Sequence, residues 1–472
     1  MVRKTKIICT IGPKTEDETV LRELMLAGMN VARLNFSHEN YEAHERRIKL
    51  IKALREELNL PIAIMLDTRG PEIRIKTFEN SKVVLEKGQK FTLTTEDIVG
   101  NNERVSITFK KLPLCVKPDT AILLNDGLIE LKVLSVTKTE IVCAVVEGGV
   151  LSNNKSINIP NCHIEMPYLS KKDEEDLLFG IKQDVDYIAM SFVRSADDIK
   201  EVRNLLNRNG GEEIEIIAKI ENHEGVNNID DILRYSDGIM VARGDMGVEI
   251  PFEQLPSIQK NIIKKCFRAG KKVITATQML ESMIHAPKPT RAEISDIANA
   301  VFDGTSAIML SGETAVGDYP LQTLKTMASI ASYAESTINY KKNFSALEME
   351  IKNISDAVSH ATCAAAMDLN AAAILVVTQS GLTARMISSF RPGPPIIAVT
   401  TSKKVFHKLS LSWGVVPALG TMQENTDLLF AHAIDCAKKT GIVKKGDIVV
   451  ITAGVPVGVS GNTNILKIEH VN

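Results

Sequence analysis

Six short segments of this 472-residue chain gather residue types that packing alone does not call for. They read Arg33-Leu-Asn35-Phe-Ser37-His38, Asp67-Thr68-Arg69-Gly70-Pro71-Glu72-Ile-Arg74, Lys219-Ile-Glu221-Asn222, Arg243-Gly244-Asp245, Thr275-Ala-Thr277-Gln278 and Ser311-Gly312-Glu313-Thr314. Glu221 and Asp245 suit a hard divalent cation such as Mg²⁺ or Mn²⁺, which takes few carboxylates and completes its shell with substrate oxygens and water. Zinc is disfavoured, because no His or Cys accompanies them. Lys219 alternates with Glu221, so on a strand both face the same way. There the ammonium is a fixed positive charge for phosphoryl or enolate oxygens. The bland alternative is an internal Lys–Glu–Asp ion network, which is costly when buried without a function. Gly244 leaves room for a substrate carboxylate to approach backbone N–H groups at a helix start.

Each segment closes a short apolar run, and the runs say what positions the chemistry. Eight of them, at 6–11, 31–35, 62–67, 187–192, 214–220, 238–242, 272–277 and 306–311, are continuous, as parallel strands covered on both faces should be. Most precede a helical pattern; 41–58 is the clearest, and Ser170-Lys-Lys-Asp173 opens the next with a capping box. Eight strand–helix units predict an α/β fold, a (β/α)8 TIM barrel, whose working residues sit at the carboxyl ends of the strands. A lone cluster could be a cap or an ion pair. Six at the same end of one barrel define a site.

Successive runs start about 22 to 34 residues apart, as one βα unit requires, except between the third and the fourth. Residues 70–165 are therefore predicted to hold an inserted, β-rich lid domain, a small barrel or sandwich with turns at Lys87-Gly88, Asn125-Asp126-Gly127 and Gly148-Gly149. The barrel is assigned to 1–69 and 166–340. Beyond a polar connection at 341–353, strand and helix patterns alternate again, so 341–472 is expected to be a C-terminal α/β regulatory domain.

Composition narrows the class further. Hydrophobic residues make up 44% and charged residues 24%, which argues against long disorder, and a net charge of −2 argues against a nucleic-acid partner. Seven scattered cysteines without a Cys-x-x-Cys pair read as reduced core residues. The N-terminal apolar stretch is too short for a secretory segment, and the most apolar stretch, 361–377, is broken by Asp368 and Asn370. A cytoplasmic protein without a membrane partner is expected.

The segments 33–38 and 66–74, the run Ile216-Ile-Ala-Lys219-Ile-Glu221-Asn222-His-Glu-Gly225, and the stretches 240–245, 276–283 and 309–314 resemble the signatures of the pyruvate kinase family, in order along the whole chain. The resemblance implies that phosphoenolpyruvate and ADP yield pyruvate and ATP. It implies that Lys219 stabilises the phosphoryl group in flight while Glu221 and Asp245 hold the divalent ion. Arg33 would contact the phosphoryl group, and Gly244, Asp245 and Thr277 would seat the carboxylate end, with Thr277 near the face where the enolate is protonated. Asn35, His38, Arg74 and Lys155 would serve the nucleotide. Asn35, Ser37, Asp67 and Thr68 match the family's K⁺ site, and Glu72 marks the K⁺-dependent variant where other members carry Lys. Arg69 stands where many members have Lys, which keeps the charge. The family also implies a homotetramer.

In the C-terminal part, Thr378-Gln-Ser380-Gly381-Leu382-Thr383 lies between a strand and a helix, where it is either a phosphate-binding turn or a plain helix cap. It is similar to the family's effector loop, paired there with residues 454–464. Leu382 replaces a basic residue of some members, which favours a phosphorylated effector with one phosphate over fructose 1,6-bisphosphate. The chain is expected to lack the phosphohistidine-like domain that some bacterial members append. A metal-dependent phosphoenolpyruvate or pyruvate lyase on the same barrel is the rival reading, and ADP dependence separates the two.

Overall fold

In a computed structural model, residues 2–160, 162, 164, 166–346, 350–456 and 462–472 are described. Eight parallel strands close into a barrel: Lys6–Thr10, Val31–Asn35, Ala63–Asp67, Tyr187–Met190, Glu215–Ile220, Gly238–Ala242, Lys272–Ala276 and Ala307–Leu310. These match the predicted runs to within a residue or two, because each run is buried on both faces and alternation cannot blur its ends. Side chains pointing inward, among them Ile8, Met65, Ile217, Met240 and Ile274, fill the barrel as a packed core. Outward-pointing residues such as Ile7, Ile64, Ile216 and Val241 pack under the surrounding helices.

The helix Tyr41–Glu57 starts at Asn40, whose side chain accepts from the N–H of Ala43. The helix Lys171–Lys182 begins with both halves of the Ser170/Asp173 capping box in place, so local sequence alone sets its first turn.

Between the third and fourth barrel strands, Ile73–Arg74, Lys90–Thr94, Arg104–Ser106, Ala121–Leu124, Ile129–Val136, Glu140–Glu147 and Ser156–Asn158 form a seven-stranded sheet. Its two edges meet: Ile75 bridges Ile107, Lys76 N–H donates to Ser106 O at 2.8 Å and Thr108 N–H to Arg74 O at 2.9 Å. The sheet is thereby a small barrel around its own core of Phe91, Leu93, Ile122, Leu131 and Ile141. Its turns fall where the sequence marks them, with Asn125, Asp126 and Gly127 all at positive φ.

The C-terminal sheet runs in the order Val415–Leu419, Ile396–Thr400, Ala373–Val377, Ile448–Ala453, Ile465–His470, with only the last strand antiparallel. It is docked on the amino-terminal end of the large barrel. Leu411 joins the barrel's interior core, Lys6 Nζ donates to Val415 O at 2.6 Å, and Tyr187 Oη donates to Lys408 O. No helix among the described residues is long and apolar enough to cross a membrane.

Candidate active site

At the carboxyl end of the barrel, five predicted residues are joined by direct contacts or by their charges. Lys219, 8% exposed, donates to Ser191 Oγ at 2.6 Å and lies 3.1 Å from Asp67 Oδ1 and 3.0 Å from Glu221 Oε1. The other oxygen of Asp67 accepts from Arg33 Nε at 2.6 Å, and Arg33 Nη1 reaches Thr10 Oγ1 at 2.8 Å. Burial alone would push Lys219 toward neutrality, but Asp67 and Glu221 outweigh it and raise its pKa, so the ammonium stays charged. Asp67, equally buried, is held below the usual carboxylate range by Arg33 and Lys219. The cluster fixes two cations, Lys219 and Arg33, at the carboxyl end of the barrel by pairing them with carboxylates.

Glu221 is the strained member. Its Oε2 accepts from Phe192 N–H at 2.6 Å, while Oε1 is buried with no directed hydrogen bond, only the 3.0 Å ion pair with Lys219. Burial pushes its pKa up to about 8; Lys219 opposes the shift and the nearby charge of Asp245 adds to it. A buried, under-partnered carboxylate facing a second carboxylate is what a divalent cation would relieve, so these residues fit one. Among the described residues no group of three or more His, Cys, Asp and Glu is arranged to hold a metal ion by itself. Two carboxylates with substrate oxygens as the remaining ligands are the donor set Mg²⁺ or Mn²⁺ accepts.

On the next two strand ends, Gly244 N–H donates to Thr277 Oγ1 at 2.7 Å. The helix Arg243–Glu249 does begin here, but that N–H is already engaged by Thr277. Thr277 and Gln278 sit at φ 70° and 54°, which a β-branched residue adopts only when its surroundings impose it. Arg243 imposes it: Nη2 donates to Thr277 O at 2.7 Å, while Nη1 is anchored on both oxygens of Asp296 at 2.7 Å.

Arg74 and Lys155 lie on adjoining segments of the inserted barrel, where Ile75 N–H donates to Lys155 O at 3.0 Å. Arg74 pairs with Ser156 in register, and its Nη1 donates to Asn154 O at 3.1 Å. Glu72 binds Arg74 through Nη2 at 2.6 Å and Nε at 2.8 Å, so the carboxylate is occupied by its own neighbour. A cleft of about 450 Å³ between inserted barrel and large barrel is lined by Glu72, Ser156, Asn158, Phe192, Asn222 and Asp245 among others. Of the K⁺ set, Asn35 and Asp67 are register partners on adjacent strands, and Asn35 Oδ1 accepts from Ser37 N–H at 3.2 Å. Thr68 is buried and turns its hydroxyl to Ala189 O. His38 is exposed; its N–H donates to Asn35 O at 3.3 Å and its carbonyl meets the His44 ring at 3.0 Å.

Sequence reasoning missed Ser191, Thr10 and Asp296. Ser191 carries the most: it accepts from Lys219 and donates to Thr68 O at 2.6 Å. The signal was present, because it follows the fourth strand, where the strand-end rule applies as well as anywhere.

Thr378, Ser380 and Thr383 line a separate, small cavity of about 70 Å³ in the C-terminal domain. Thr378 Oγ1 accepts from Gly381 N–H at 3.0 Å, Gly381 takes φ 79°, and Thr383 bonds Thr463 at 2.7 Å. His432 is the one titratable side chain among its described lining residues. Leu382 does not line this cavity but the one next to it, on the seam with the large barrel. Of the facing loop 454–464, residues 457–461 lie outside the described residues.

A (β/α)8 barrel with a charged, carboxylate-braced lysine and a cation-ready acidic pair at its strand ends defines an enzyme that handles phosphoryl or enolate oxygens. The particular family follows from comparison. Residues 2–324 match the family described as pyruvate kinase, barrel domain, and residues 356–469 match pyruvate kinase, alpha/beta domain. The chain is 52% identical to a pyruvate kinase of Clostridium acetobutylicum over 472 residues, covering 100% of both. It is 49% identical to one of Geobacillus stearothermophilus over 475 residues, covering 100% of this chain and 81% of that one. A crystal structure of a pyruvate kinase from Cryptosporidium parvum superposes with a TM-score of 0.94 at 38% identity, covering 100% of this chain and 96% of the other. The chain belongs to the pyruvate kinase family.

Proposed function

We propose that this chain transfers the phosphoryl group of phosphoenolpyruvate to ADP, giving pyruvate and ATP, at the mouth of the large barrel. The observation that carries the reading is Lys219, kept charged by Asp67 and Glu221 although buried. Its ammonium offsets the charge that builds on the transferring oxygens, and Arg33, held on Asp67, adds a second fixed cation. Thr277, with its hydroxyl fixed over Gly244, stands where the enolate would take its proton. Arg74 and Lys155 on the inserted barrel suit the nucleotide phosphates; Asn35 ends the second barrel strand, next to the third, and His38 follows it.

Divalent-metal dependence belongs to the family as a whole. For this chain we assign Mg²⁺ or Mn²⁺ to Glu221 and Asp245, where the ion would neutralise charge shared between substrate and phosphoryl oxygens. Potassium is assigned to Asn35, Ser37, Asp67 and Thr68, an all-oxygen set. The closed barrel, the seven- and two-stranded sheets of the insertion and the C-terminal five-stranded sheet support the division into barrel (1–69 and 166–340), insertion (70–165) and C-terminal domain (341–472). For the loop 378–383 we favour a phosphorylated effector bearing one phosphate. Apart from the His432 imidazole, whose Nε2 accepts from Thr421 N–H at 2.9 Å, hydroxyls and neutral amides supply the polar lining, so a second phosphate would meet no lysine or arginine among the described residues. A homotetramer and a cytoplasmic setting complete the reading; seven free cysteines agree with a reducing compartment.

The test is pyruvate release followed with and without ADP. Strict ADP dependence with stoichiometric ATP is expected. Pyruvate formed equally fast without ADP replaces this reading by the lyase.

A further inference from the structure

A cysteine is either buried and inert or accessible and reactive, and those of this chain divide along that line. Cys9, Cys143, Cys266, Cys363 and Cys436 are buried, Cys115 and Cys162 are half-buried, and none of them is in a disulfide. The two half-buried ones stand 47 residues apart in the chain yet share one spot on the inserted barrel, where Cys162 Sγ donates to Cys115 O at 3.0 Å. That contact sets the Cys162 sulfur within roughly 6 Å of the Cys115 Cα, by the bond lengths of the carbonyl between them. A disulfide joins Cα atoms about 4.4–6.8 Å apart. A turn of the Cys115 thiol away from Lys111 O, which it meets at 3.6 Å, is the movement that bonding asks for.

Cys115 follows the short 3-10 turn Leu112–Leu114, whose last residue is 78% exposed, so it lies where a solute can reach it. Cys162 belongs to the stretch that leads from the inserted barrel back to the large one. With Ile164 and Met166 it packs against the core of the inserted barrel, and the same three residues line the catalytic cleft. Arg194, beyond the fourth strand of the large barrel, holds this stretch from the other side, donating to Ile164 O at 3.1 Å and to Met166 O at 2.8 Å. Burial and the neighbouring Cys115 push the Cys162 thiol up, with Lys117 opposing. It therefore ionises less readily, which suits the second step of an oxidation better than the first.

We propose that Cys115 and Cys162 are a modification site, oxidised by a hydroperoxide to a reversible disulfide that ties the returning stretch to the inserted barrel and slows turnover in the cleft. The Cys115 sulfur, as its thiolate, attacks one peroxide oxygen; the O–O bond breaks, hydroxide leaves and a sulfenic acid remains. The Cys162 sulfur then attacks the Cys115 sulfur, the S–O bond breaks and a second hydroxide leaves. The two thiol protons turn both hydroxides into water, so two thiols and one hydrogen peroxide give one disulfide and two waters. In a reducing compartment such a bond is transient, as redox-sensing disulfides are, and thiol exchange reverses it. Neither cysteine touches the Lys219 cluster or lines the cavity at 378–383.

The full-length protein is treated with hydrogen peroxide, blocked with iodoacetamide, digested and read by mass spectrometry, and pyruvate release is measured in parallel. A peptide pair joined through Cys115 and Cys162 is expected, and dithiothreitol should dissolve it. Oxidation should lower kcat/KM for phosphoenolpyruvate about 10-fold or more, since ångström-scale misplacement at a site costs up to about 10²-fold. Dithiothreitol should restore it. Cys115→Ser, outside the cleft, should keep the untreated rate, form no joined pair and hold its rate through peroxide. The rate readout rests on the reading given above, whereas the mass readout does not, so failure of one is told apart from failure of the other. Absence of the Cys115–Cys162 pair, a pair that leaves pyruvate release unchanged, or an equal loss of rate in Cys115→Ser overturns the proposal.

Discussion

Lys219 is where single-residue chemistry is most exposed to test. Its partners Asp67, Glu221 and Ser191 hold the ammonium in one place, so Lys219→Met removes charge without removing the barrel wall behind it. Phosphoryl transfer should fall about 10²-fold or more, the scale of one lost oxyanion stabiliser. Coupled assay gives the rate and circular dichroism the fold; near-normal turnover would remove Lys219 from the mechanism. Monovalent-cation dependence is the second residue-level expectation. Activity should be low in buffer free of Na⁺ and K⁺ and rise with K⁺, and Glu72→Lys should reduce that dependence. Glu72 is paired with Arg74, so the variant should also raise the half-saturation for ADP. Equal rates in tetramethylammonium and potassium buffers would discard the potassium site. Most of these residues were legible in the sequence because strand ends are easy to locate and polar residues there have no packing reason to exist. The partners that steady them were harder. Asp296, in the helix Arg291–Phe302, touches the site only through Arg243, a contact between segments 53 residues apart that no local pattern encodes.

At the scale of elements, two catalytic strands are tied at their far ends to one C-terminal helix. Glu215 opens the fifth strand, which ends at Lys219 and Glu221, and Lys272 opens the seventh, which leads to Thr277. Lys272 pairs with Glu215 inside the seam, and Arg385 of the helix Leu382–Ser389 pairs with the other oxygen at 3.0 Å. Burial opposes the charge on Glu215, but Lys272 and Arg385 outweigh it and hold its pKa at about 2. With two cations on one carboxylate, the cost falls on Lys272, whose pKa burial and Arg385 pull down. Because the folded pKa lies below the ordinary value of 4.5, the stabilisation is fully present above pH 4.5 and is lost as pH falls toward about 2. Glu215→Gln should therefore destabilise the protein by about 3 kcal/mol near neutrality, since it strands the buried Lys272 and leaves the part-buried Arg385 without its carboxylate. Urea unfolding checks this, and the gap to wild type should close as pH drops from 4.5 toward 2. An unchanged gap at low pH would mean the loss came from packing. The strands themselves were readable as continuous apolar runs, whereas this triad was not: its members look like ordinary surface charges until the C-terminal domain covers them.

For the whole molecule, the question is how a loop in one domain can influence a site in another. The cavity at 378–383 and the catalytic cleft share no residue, so an effector bound there must favour one arrangement of domains or subunits over another. The helix Leu382–Ser389 begins at that loop and carries Arg385 into the seam beneath the catalytic strands, which gives the two sites a common rigid part. Leu382, exposed and turned toward the seam, is not among the residues that would touch a ligand at 378–383, so its loss of charge says less about effector choice than its position in the sequence suggests. On the proposed reading, selectivity would rest instead on a lining that holds no lysine or arginine among the described residues, which would suit one phosphate on hydroxyls and backbone N–H groups with a neutral body beyond it. A nucleoside or sugar monophosphate should lower the half-saturation for phosphoenolpyruvate by roughly 5- to 150-fold, a coupling of about 1–3 kcal/mol. The assay is a panel containing AMP, ribose 5-phosphate and fructose 1,6-bisphosphate at sub-saturating phosphoenolpyruvate, repeated on Ser380→Ala combined with Thr383→Ala. Activation should vanish in the double variant while the maximal rate without effector is retained. Activation that survives there belongs to another site, and a panel without any activator makes the loop a helix cap.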